Sequence, residues 1–597
     1  MTYQPYYRNL IQLFTQSVEK YGSHRLFGSR KADDWHWTTY TEFAALVAAA
    51  RSGLHARGVR AGDRVAVISN NRLEWAVGAY GAYTLGAVYV PMYEAQLDKD
   101  WQHILADCGA KLCFVSDAKV EKRILGLRAQ LPALEHIVSF EGSGFPDLLA
   151  AGRANEVAPV APQDEDCAMF IYTSGTTGNP KGVRLTHFNL ASNVCGVLEI
   201  APLRKDEVSL AFLPWAHVFG GCLELNALMS RGDAIAICED TTRLIDQLGE
   251  VKPTCLFAVP RIWNRIYDGV NKQMADRPAA IRKLFEAGMR LKSRQKRGES
   301  LSLREMLLLA AADKVLFAKV RARFGGKLRF AFSGAAALAP EVAEFIDNLG
   351  IIVYEGYGLT ETSGAATANG THGRRPGSVG RVVPGFELKL DRDAVGATDG
   401  EGEILVYGTG VMQGYHNQPA ETEHALTSDH GLRTGDLGRI DNDGFLYITG
   451  RVKELYKLSN GKYVAPVPLE EKLQLSPYIA QAFVYGSDHP YNTAVIVVDL
   501  PSVQKWAAGL GIAKQPNELL EDSRTKALVR REIDAHSKEW KGYEQVREFV
   551  LDHDAFTTDN DMLTPTFKLK RRNVTQKYLA KLDALYASNA RATAAVG

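Results

Sequence analysis

Short apolar runs alternate along this chain with segments whose apolar residues have helical spacing. Leu10, Phe14 and Val18 lie four residues apart, which predicts an amphipathic helix near the N-terminus. Runs rich in apolar, β-branched or aromatic residues recur at 65–68, 88–90, 112–115, 168–172, 208–212, 254–257, 328–332 and 351–354. Apolar strands between helices are typical of mostly parallel sheets that are buried on both faces. The pattern therefore predicts an α/β fold.

The rhythm changes between about 377 and 450, where glycines separate short strands such as those at 403–407 and 445–448. Short strands divided by glycine turns predict a small antiparallel barrel or sheet. At 597 residues the chain is also too long for one hydrophobic core. We therefore expect at least two domains, with a β-barrel-like subdomain in this region.

The overall composition is ordinary for a globular protein and excludes several classes. Hydrophobic residues make up 46% and charged residues 23% of the chain, and the formal net charge is +1. A nearly neutral chain gives no reason to expect nucleic acid as a partner. The seven cysteines include no C-x-x-C pair and none lies beyond Cys255, which argues against a disulfide framework or a zinc knuckle. We expect a protein of a reducing compartment, the cytoplasm.

Two segments bear on membrane insertion. The N-terminal region lacks the apolar core and the small-residue cleavage site of a signal peptide. Residues 75–92 carry no charge, but they are rich in glycine, alanine and tyrosine and reach Pro91. We therefore expect a buried helix that runs into a strand, rather than a transmembrane span.

A basic cluster lies in the helical segment 279–324. Its members are Arg290, Lys292, Arg294, Lys296 and Arg297. The ordinary interpretation of such a cluster is a solvated helix end. The alternative is peripheral contact with an anionic membrane surface or with an acidic partner.

One ten-residue run predicts an anion-binding loop. It follows the apolar run at 168–172 and consists of Thr173, Ser174, Gly175, Thr176, Thr177, Gly178, Asn179, Pro180, Lys181 and Gly182. Glycines let backbone N–H groups turn toward an anion, hydroxyls add neutral donors, and Lys181 adds a mobile positive charge. The run is not a Walker A loop, which needs G-x-x-x-x-G-K-[ST]. It predicts a phosphate cradle of another kind.

A second segment, after the run at 351–354, suits the rest of a nucleotide and magnesium. Its candidate residues are Glu355, Gly356, Tyr357, Thr360 and Glu361. The glycines beside Tyr357 let a flat ring approach the backbone, and the Tyr357 ring can stack on it. Thr360 can donate a hydrogen bond to a phosphate oxygen, and Glu361 is a hard oxygen ligand suited to Mg²⁺. Alone, the segment would be a strand and loop with a surface acid. Its position after the phosphate loop favours a nucleotide site.

Two charged segments further along the chain suit a ribose. Asp436 ends the first and Arg451 lies in the second. A carboxylate can accept hydrogen bonds from both ribose hydroxyls, and an arginine can donate to ribose or phosphate oxygens. Lys453 follows Arg451. From its residue type alone it is an ordinary exposed lysine between two domains as readily as a functional residue.

The last candidate is Lys568, on a loop that Pro565 stiffens just before the terminal helix. Lys570, Arg571 and Arg572 follow it. We interpret these three residues as a solvated basic start to that helix.

In this order, the segments resemble the motifs of the adenylate-forming superfamily, which includes acyl-CoA synthetases, luciferases and the adenylation domains of peptide synthetases. The most specific of them is the S-G-T-T-G-x-P-K-G pattern of the phosphate loop. The resemblance covers nearly the whole chain. It narrows toward long-chain fatty acyl-CoA synthetases on segments 323–336 and 456–466 and on the L-T-P-T-F-K-x-K-R ending.

The resemblance implies a domain arrangement and roles for several residues. The expected domains are an N-terminal adenylation domain of α/β subdomains over 1–450 and a mobile α+β domain over 451–597, with Lys453 at the hinge. By the same resemblance Asp436 and Arg451 hold the ribose of ATP, and the turn at Gly334 contacts the adenine. Lys568 corresponds to the lysine that is inserted against the acyl carboxylate and the α-phosphate.

The resemblance also implies sites for CoA and the fatty acid. Lys457 begins a loop, ending at Lys462, that lines the channel for the pantetheine arm of CoA. His217 and Phe219 belong to the segment that walls the acyl tunnel. Some long-chain relatives carry a gating tryptophan four residues after this histidine, where this chain has Gly221. A histidine on an apolar segment is also an ordinary core residue, so His217 alone is not diagnostic.

We therefore expect a long-chain fatty acid–CoA ligase that forms acyl-AMP from ATP and then a thioester with CoA, releasing pyrophosphate and AMP. The expected catalytic residues are Lys181, Thr360, Glu361 and Lys568, and Mg²⁺ is expected beside Thr173 and Glu361. Two alternatives stay open. An acyl-AMP ligase that loads a carrier protein would share this chemistry. A non-catalytic nucleotide sensor is disfavoured by the intact set of charged residues.

Overall fold

The computed structural model describes residues 3–31, 34–173, 179–394, 400–564 and 568–594, with side chains to residue 587. The chain divides into two compact units. The first unit comprises Met1–Lys389, Leu405–Thr434 and Ile440–Tyr447, and the second comprises Leu390–Ile404, Gly435–Arg439 and Ile448–Gly597. The expected domain boundary at residue 450 stays a prediction.

The described residues form twenty-five strands. They are β1 (Arg25–Lys31), β2 (Asp34–Thr39), β3 (Arg64–Ile68), β4 (Val88–Met92), β5 (Leu112–Val115), β6 (His136–Ser139), β7 (Cys167–Thr173), β8 (Lys181–Thr186), β9 (Val208–Ala211), β10 (Ala234–Ile237), β11 (Cys255–Ala258), β12 (Phe330–Ser333), β13 (Ile352–Tyr357), β14 (Thr367–Ala368), β15 (Arg381–Val382), β16 (Phe386–Asp391), β17 (Gly402–Gly408), β18 (Gly414–Tyr415), β19 (Leu432–Ile440), β20 (Leu446–Arg451), β21 (Tyr456–Lys457), β22 (Tyr463–Val464), β23 (Ile479–Tyr485), β24 (Asn492–Val498) and β25 (Val546–Asp552).

The described part also contains twenty α-helices. They are α1 (Leu10–Tyr21), α2 (Tyr40–Ala56), α3 (Leu73–Thr84), α4 (Asp98–Cys108), α5 (Ala118–Leu127), α6 (Gly144–Ala154), α7 (His187–Ile200), α8 (Leu225–Arg231), α9 (Leu244–Val251), α10 (Pro260–Ala275), α11 (Ala279–Lys296), α12 (Leu303–Ala312), α13 (Ala318–Arg323), α14 (Pro340–Asn348), α15 (Pro419–Ala425), α16 (Pro466–Leu473), α17 (Leu500–Gly509), α18 (Pro516–Glu521), α19 (Ser523–His536) and α20 (Arg571–Ala594).

The largest sheet of the first unit has seven strands in the order β18-β8-β7-β4-β3-β5-β6. The five strands from β7 to β6 run parallel, and β8 and β18 add to one edge as antiparallel strands. Central strand β3 is buried from Val65 to Ile68, and the core around it includes Trp101 of α4 and Ile124 of α5. This burial on both faces explains why the strand has no polar alternation.

Two more sheets of the first unit repeat this arrangement. The order of one is β11-β12-β13-β14-β15, and the order of the other is β2-β1-β10-β9. In each, three parallel strands form the body, and antiparallel strands extend one edge. The predicted α/β class with mostly parallel sheets is therefore confirmed. The antiparallel edges were not predicted.

The glycine-rich region contributes short strands, as expected. Strands β16, β17, β19 and β20 form a four-stranded sheet in the order β16-β17-β19-β20. Between them the chain turns at glycines with positive φ, among them Gly400 at +83° and Gly444 at +82°. A left-handed φ is accessible to glycine without a steric penalty, which accounts for these residues at the turns.

The second unit contains a three-stranded sheet of order β23-β24-β25 with a separate core on each face. Along β24, Ala494 and Ile496 pack on one face with Val529 of α19, whereas Val495 and Val497 pack on the other with α20. Alternate side chains of a strand point to opposite faces. The continuous apolar sequence of β24 is therefore explained by helices on both sides.

The uncharged stretch at 75–92 forms the buried helix α3 and the buried strand β4, as the sequence predicts. Among the residues described, no helix is both long enough and apolar enough to cross a membrane.

Candidate active site

The phosphate-loop motif spans a β-hairpin. Its first residue, Thr173, ends β7, and Lys181 begins β8, and the two residues are directly opposite each other in the antiparallel ladder. The ladder therefore fixes both ends of the loop. Ser174, Gly175, Thr176, Thr177 and Gly178 lie outside the described residues.

Gly182 of the motif has a packing role that the sequence did not suggest. It lies opposite Tyr172 in the β7–β8 ladder, and a Cβ at this position would lie 2.9 Å from Cζ of the Tyr172 ring. Only glycine lets the ring lie flat across β8. The Tyr172 hydroxyl donates a hydrogen bond to Asp107 of α4, which holds the ring in this position.

Lys181 lies among polar side chains from a distant part of the chain. Its Nζ forms an ion pair with the carboxylate of Glu421 on α15, and it lies 5.5 Å from the centroid of the Tyr415 ring. The Lys181 side chain is largely buried, whereas Glu421 is about half exposed. The lysine that is expected to bind phosphate is therefore paired with a half-exposed carboxylate.

Tyr415 connects this lysine to the candidate magnesium ligand. Its hydroxyl donates a hydrogen bond of 2.8 Å to Oε1 of Glu361. Strand β18 places the ring, because Tyr415 is opposite Val183 on β8. The Tyr415 N–H also donates to Thr422 Oγ1 on α15, at 2.9 Å, which joins the strand to the helix that carries Glu421.

Glu361 lies in a short 3₁₀ turn, Thr360–Thr362, that follows β13. Backbone contacts fix the turn, because the Met412 N–H donates to the Glu361 carbonyl at 2.9 Å. Ser363, which ends the turn, has a φ of +59°, and its hydroxyl donates to the carbonyl of Gly410 at 2.8 Å. Thr360 is buried. The turn thus presents Glu361 from a rigid backbone.

The candidate adenine residues meet a candidate tunnel residue. A Cβ on Gly334, which follows β12, would lie 3.6 Å from the Gly356 carbonyl oxygen and 3.6 Å from the Phe219 ring. Gly356 and Tyr357 lie within β13 itself, because β14 pairs with them and lengthens the strand. Glu355 is buried, and burial raises its carboxyl pKa to about 7 despite a hydrogen bond from the Gly377 N–H.

His217 caps a turn of π-helix, Val218–Glu224. Its Nδ1 accepts a hydrogen bond from the Phe219 N–H at 3.2 Å. The proton of a neutral imidazole is then on Nε2. Turns of π-helix are rare and are found disproportionately at functional sites. The histidine therefore fixes the start of the segment that carries Phe219.

Gly221 lies in the same π-helical turn, and the structure explains why it carries no side chain. A Cβ there would lie 2.0 Å from the carbonyl oxygen of Trp215. The indole of Trp215 is itself fully buried, with its ring centroid 5.5 Å from that of Trp75. The Trp215 backbone therefore cannot shift without disturbing the core. A tryptophan at residue 221 is incompatible with this packing.

In the second unit, the two candidate ribose residues form an ion pair. Nε of Arg451 donates to Oδ1 of Asp436 at 2.6 Å. Asp436 is buried on β19, and Arg451 ends β20. An arginine fork orients a carboxylate strongly, so the direction of Asp436 is set before any ligand binds.

Lys453 and Lys457 are both exposed. Lys453 lies in a 3₁₀ turn, Val452–Glu454, and Lys457 ends β21. The loop from Lys457 to Lys462 is the tip of the β21–β22 hairpin, which is closed by a hydrogen bond from the Leu458 N–H to the Lys462 carbonyl at 2.9 Å.

Lys568 is exposed on a loop that is closed at its base. Its N–H donates to Thr564 Oγ1 at 3.0 Å, and the Thr564 N–H donates to the Lys568 carbonyl at 2.8 Å. The residues between them, 565–567, lie outside the described part.

The three basic residues after Lys568 do not form a uniformly solvated start of α20. Lys570 is paired with Asp561, and Nη1 of Arg571 donates to both oxygens of the buried Glu470 carboxylate, at 2.8 and 2.9 Å. Only Arg572 is exposed. The solvated interpretation is wrong for Lys570 and Arg571 because each pairs with an acid, and the buried carboxylate of Glu470 needs the counter-charge of Arg571. These pairs anchor the chain beside Lys568.

The residues around Glu361 fit magnesium. The donor set consists of carboxylate and hydroxyl oxygens, which suit Mg²⁺ better than softer metals. Within the described residues, Tyr415 occupies Oε1 of Glu361 and leaves the lone pairs of Oε2 for an ion. Thr173, the other expected ligand, ends β7 at the start of the phosphate loop.

Sequence analysis missed Tyr415 and Glu421. They lie more than 230 residues after Lys181, in a short Gly-Tyr strand and a proline-initiated helix with no distinctive composition. The only signal was the spacing of glycines in this region, which predicts short strands. It does not predict that one of these strands pairs with β8.

Two family patterns match most of the chain. The pattern of AMP-binding enzymes matches residues 14–416, and that of the AMP-binding enzyme C-terminal domain matches residues 454–590. Among curated proteins, the long-chain-fatty-acid–CoA ligase FadD15 of Mycobacterium bovis is 34% identical over 92% of this chain and 92% of its own length. Long chain acyl-CoA synthetase 7, peroxisomal, of Arabidopsis thaliana is 32% identical over 96% of this chain and 86% of its own.

Solved structures share the fold. The adenylation domain of a carboxylate reductase from Mycobacterium chelonae has a TM-score of 0.80 and 23% identity, over 98% of this chain and 92% of its own. ATP-bound MatB from Rhodopseudomonas palustris has a TM-score of 0.71 and 24% identity, over 96% of this chain and 99% of its own.

Proposed function

The chain belongs to the AMP-binding enzyme family, and we propose that it is a long-chain fatty acid–CoA ligase. The observation that carries the proposal is the cluster of Lys181, Tyr415 and Glu361, which joins the phosphate-loop motif to a hard oxygen ligand. The similarity to long-chain ligases over more than nine-tenths of the chain supports the choice of substrate class.

The proposed reaction has two steps. A fatty acid carboxylate attacks the α-phosphorus of ATP, and the bond to the pyrophosphate leaving group breaks. The thiolate of CoA then attacks the acyl carbon of the resulting acyl-AMP, and the carbon–oxygen bond breaks to release AMP. The first step brings two anions together, so cations placed at the site before reaction stabilise its transition state most.

Lys181 and Lys568 supply that positive charge in the proposal. Lys181 exchanges Glu421 for the phosphates of ATP, because a half-exposed carboxylate is a weak competitor for a multiply charged anion. Lys568, on its closed and anchored loop, pairs with the acyl carboxylate and the α-phosphate. Thr360 donates to a phosphate oxygen. Removing one such group costs on the order of 10²–10³ in rate.

Glu361 and Thr173 would hold Mg²⁺, which when bound neutralises phosphate charge. The protein's own contribution is to fix the direction of the Glu361 carboxylate through the Tyr415 hydroxyl and the rigid 3₁₀ turn.

Further residues are proposed for the adenine and the ribose of ATP. Tyr357, Glu355, Gly356 and Gly334 bind the adenine. Asp436, oriented by Arg451, accepts hydrogen bonds from the ribose hydroxyls.

The acyl chain and CoA have their own proposed residues. His217, Phe219 and Gly221 line the acyl tunnel, and the missing side chain at residue 221 leaves it without a tryptophan gate. Lys457 contacts the pantetheine arm, and Lys453 is the hinge of a domain rotation between the two steps. We place the enzyme in the cytoplasm, with peripheral contact to a membrane.

The test is pyrophosphate release from ATP across straight-chain acids of increasing length and aromatic acids, each with CoA. The proposal expects the highest kcat/KM for long-chain acids and an acyl-CoA product. A preference for aromatic or short acids would contradict the long-chain substrate class, but it would leave the proposed two-step reaction unchanged. Faster transfer to a phosphopantetheinylated carrier protein than to CoA would favour the carrier-loading alternative.

A further inference from the structure

Helices α11 and α12 form an antiparallel hairpin at the surface of the first unit. Arg294, near the end of α11, forms an ion pair of 2.6 Å with Glu305, near the start of α12. At the other end, a Cβ on Gly288 would lie 2.6 Å from Cβ of Ala312. Ser302 caps α12 by accepting from the Glu305 N–H. The hairpin is therefore a rigid element with a defined outer face.

The outer face of α12 is apolar. Leu303 is 70% exposed and Leu307 is 65% exposed, and Met306 and Leu308 are exposed as well. The inner face of α12 packs on the protein through Leu309 and Ala312, which are buried. Leu303 and Leu307 lie one helical turn apart, so they form one stripe on the side away from the core. Adjoining exposed apolar side chains such as these are typical of a surface that binds another protein or a membrane.

The hairpin lies within a strongly basic segment of the chain. Segment 279–324 contains twelve lysines and arginines and four acidic residues, a formal charge of +8, while the whole chain carries +1. Three of the four acids are neutralised within the segment: Glu299 and Glu305 by Arg294, and Asp313 by Arg321.

Positive charges near the stripe remain available. Arg304, Lys314 and Lys319 are exposed, and none has an acidic partner among the residues described. Arg304 lies within α12 itself, next to Leu303, and Lys314 lies in the π-helical turn Asp313–Phe317 that directly follows α12.

We propose that the outer face of α12 and its basic surround bind the surface of a lipid bilayer that contains anionic lipids. Leucine and methionine side chains insert among the acyl chains while lysines and arginines contact anionic head groups, which is how interfacial helices bind. Binding to an acidic protein would account for the exposed lysines and arginines, but it would not account for the exposed leucines of α12. The surface extends the proposed function, because long-chain fatty acids partition into bilayers.

The test is flotation of the full-length protein with phosphatidylcholine vesicles, with and without phosphatidylglycerol, in the absence of ATP, fatty acid and CoA. We expect the protein to float with the anionic vesicles and to bind neutral ones far more weakly, with binding that falls as salt is raised. Because no turnover is measured, failure here leaves the ligase proposal standing, and failure of the ligase assay leaves this result standing.

Two double variants separate the contributions. Leu303→Ser with Leu307→Ser should lower the partition coefficient at least tenfold, because two leucines no longer enter the bilayer. Arg304→Glu with Lys314→Glu should lower it by about fivefold for each positive charge removed. Thermal unfolding checks that each variant is folded.

Matched controls lie elsewhere in the first unit. Ile245→Ser changes a side chain that is 52% exposed on α9, and Lys122→Glu reverses an exposed charge on α5. Both should float like the wild type. The proposal is overturned if neutral and anionic vesicles bind equally, or if the leucine double variant binds as well as the wild type. The latter outcome would leave a purely electrostatic surface, as for an acidic protein.

Discussion

The Tyr415 hydroxyl donates a 2.8 Å hydrogen bond to Oε1 of Glu361, while the ring of the same tyrosine lies beside Nζ of Lys181. One side chain thus contacts both the candidate magnesium ligand and the candidate phosphate-binding lysine. These two residues come from segments about 180 positions apart, so neither can be placed by local structure. Strand β18 performs this placement by pairing with β8.

Tyr415→Phe should therefore impair the first half-reaction. The substitution keeps the ring beside Lys181 and removes the donor to Glu361, and hydrogen bonds to charged groups contribute about 1.5–3 kcal/mol. We expect a loss of about tenfold or more in kcat/KM for Mg·ATP, together with a higher Mg²⁺ concentration for half-maximal rate. Pyrophosphate exchange over a Mg²⁺ titration measures both.

A matched control is Tyr407→Phe, which removes a hydroxyl that bonds to exposed Asp429. It should behave as the wild type. An unchanged Mg²⁺ dependence in Tyr415→Phe would show that this hydrogen bond does not orient the ligand.

Lys181 and Glu421 form an ion pair but should respond in opposite ways to mutation. Lys181→Met should lower the rate of acyl-AMP formation on the order of 10²–10³, because a preorganised cation is lost. Glu421→Gln should lower KM for ATP a few-fold, because the pair is partly exposed and weak and its carboxylate competes with phosphate. Initial rates over an ATP titration distinguish them. If Glu421→Gln were as damaging as Lys181→Met, the carboxylate would have a direct role.

Gly221→Ala should destabilise the protein. Its Cβ would lie 2.0 Å from the Trp215 carbonyl oxygen, so buried backbone must move, at about 1–3 kcal/mol or more. The control is Gly249→Ala in α9, where nothing lies within 4 Å of the new Cβ and alanine favours the helix. Thermal unfolding should show a lower midpoint for the first and an equal or higher midpoint for the second. Equal midpoints would mean that the π-helical turn adapts.

Glu224 should make the first unit less stable as pH rises. It is fully buried, and desolvation raises its carboxyl pKa from 4.5 to about 8, opposed by a 2.6 Å hydrogen bond from Ser209. The folded state therefore binds a proton that the unfolded state has lost, between pH 4.5 and 8. Across that window the contribution of Glu224 to the free energy of unfolding falls by up to about 1.4 kcal/mol per pH unit.

The corresponding measurement compares the wild type with Glu224→Gln from pH 5 to pH 8. The difference in free energy of unfolding should move steadily in favour of the glutamine variant as the pH rises. A difference that is constant with pH would show that Glu224 ionises normally in the folded state.

Much of the fold could be predicted from the sequence, because buried parallel strands are continuous apolar runs. Strand β5 has the bounds that its apolar run predicts, and α3 with β4 explains the uncharged stretch. Edge strands escaped prediction. The pairing of β8 and β18 depends on a contact between residues far apart in sequence, and β18 is two residues long.

The candidate site shows the same division. Motif order pointed to Lys181, Glu361, Asp436, Arg451 and Lys568, whose roles stay predictions. The counter-ions could not be inferred, because charge pairing is a tertiary property. For this reason Arg571 was interpreted as solvated, whereas it is bound to buried Glu470. The reason for Gly221 is likewise visible only in the packing against Trp215.

The measurement that tests the central claim most directly separates the two half-reactions in Lys568→Ala. Acyl-AMP is detected by mass spectrometry after ATP and a long-chain acid are mixed without CoA, and acyl-CoA is detected after CoA is added to supplied acyl-AMP. The wild type should perform both steps, and the variant should lose the first and keep the second. The account is contradicted if the wild type forms no acyl-AMP, or if the variant loses both steps equally.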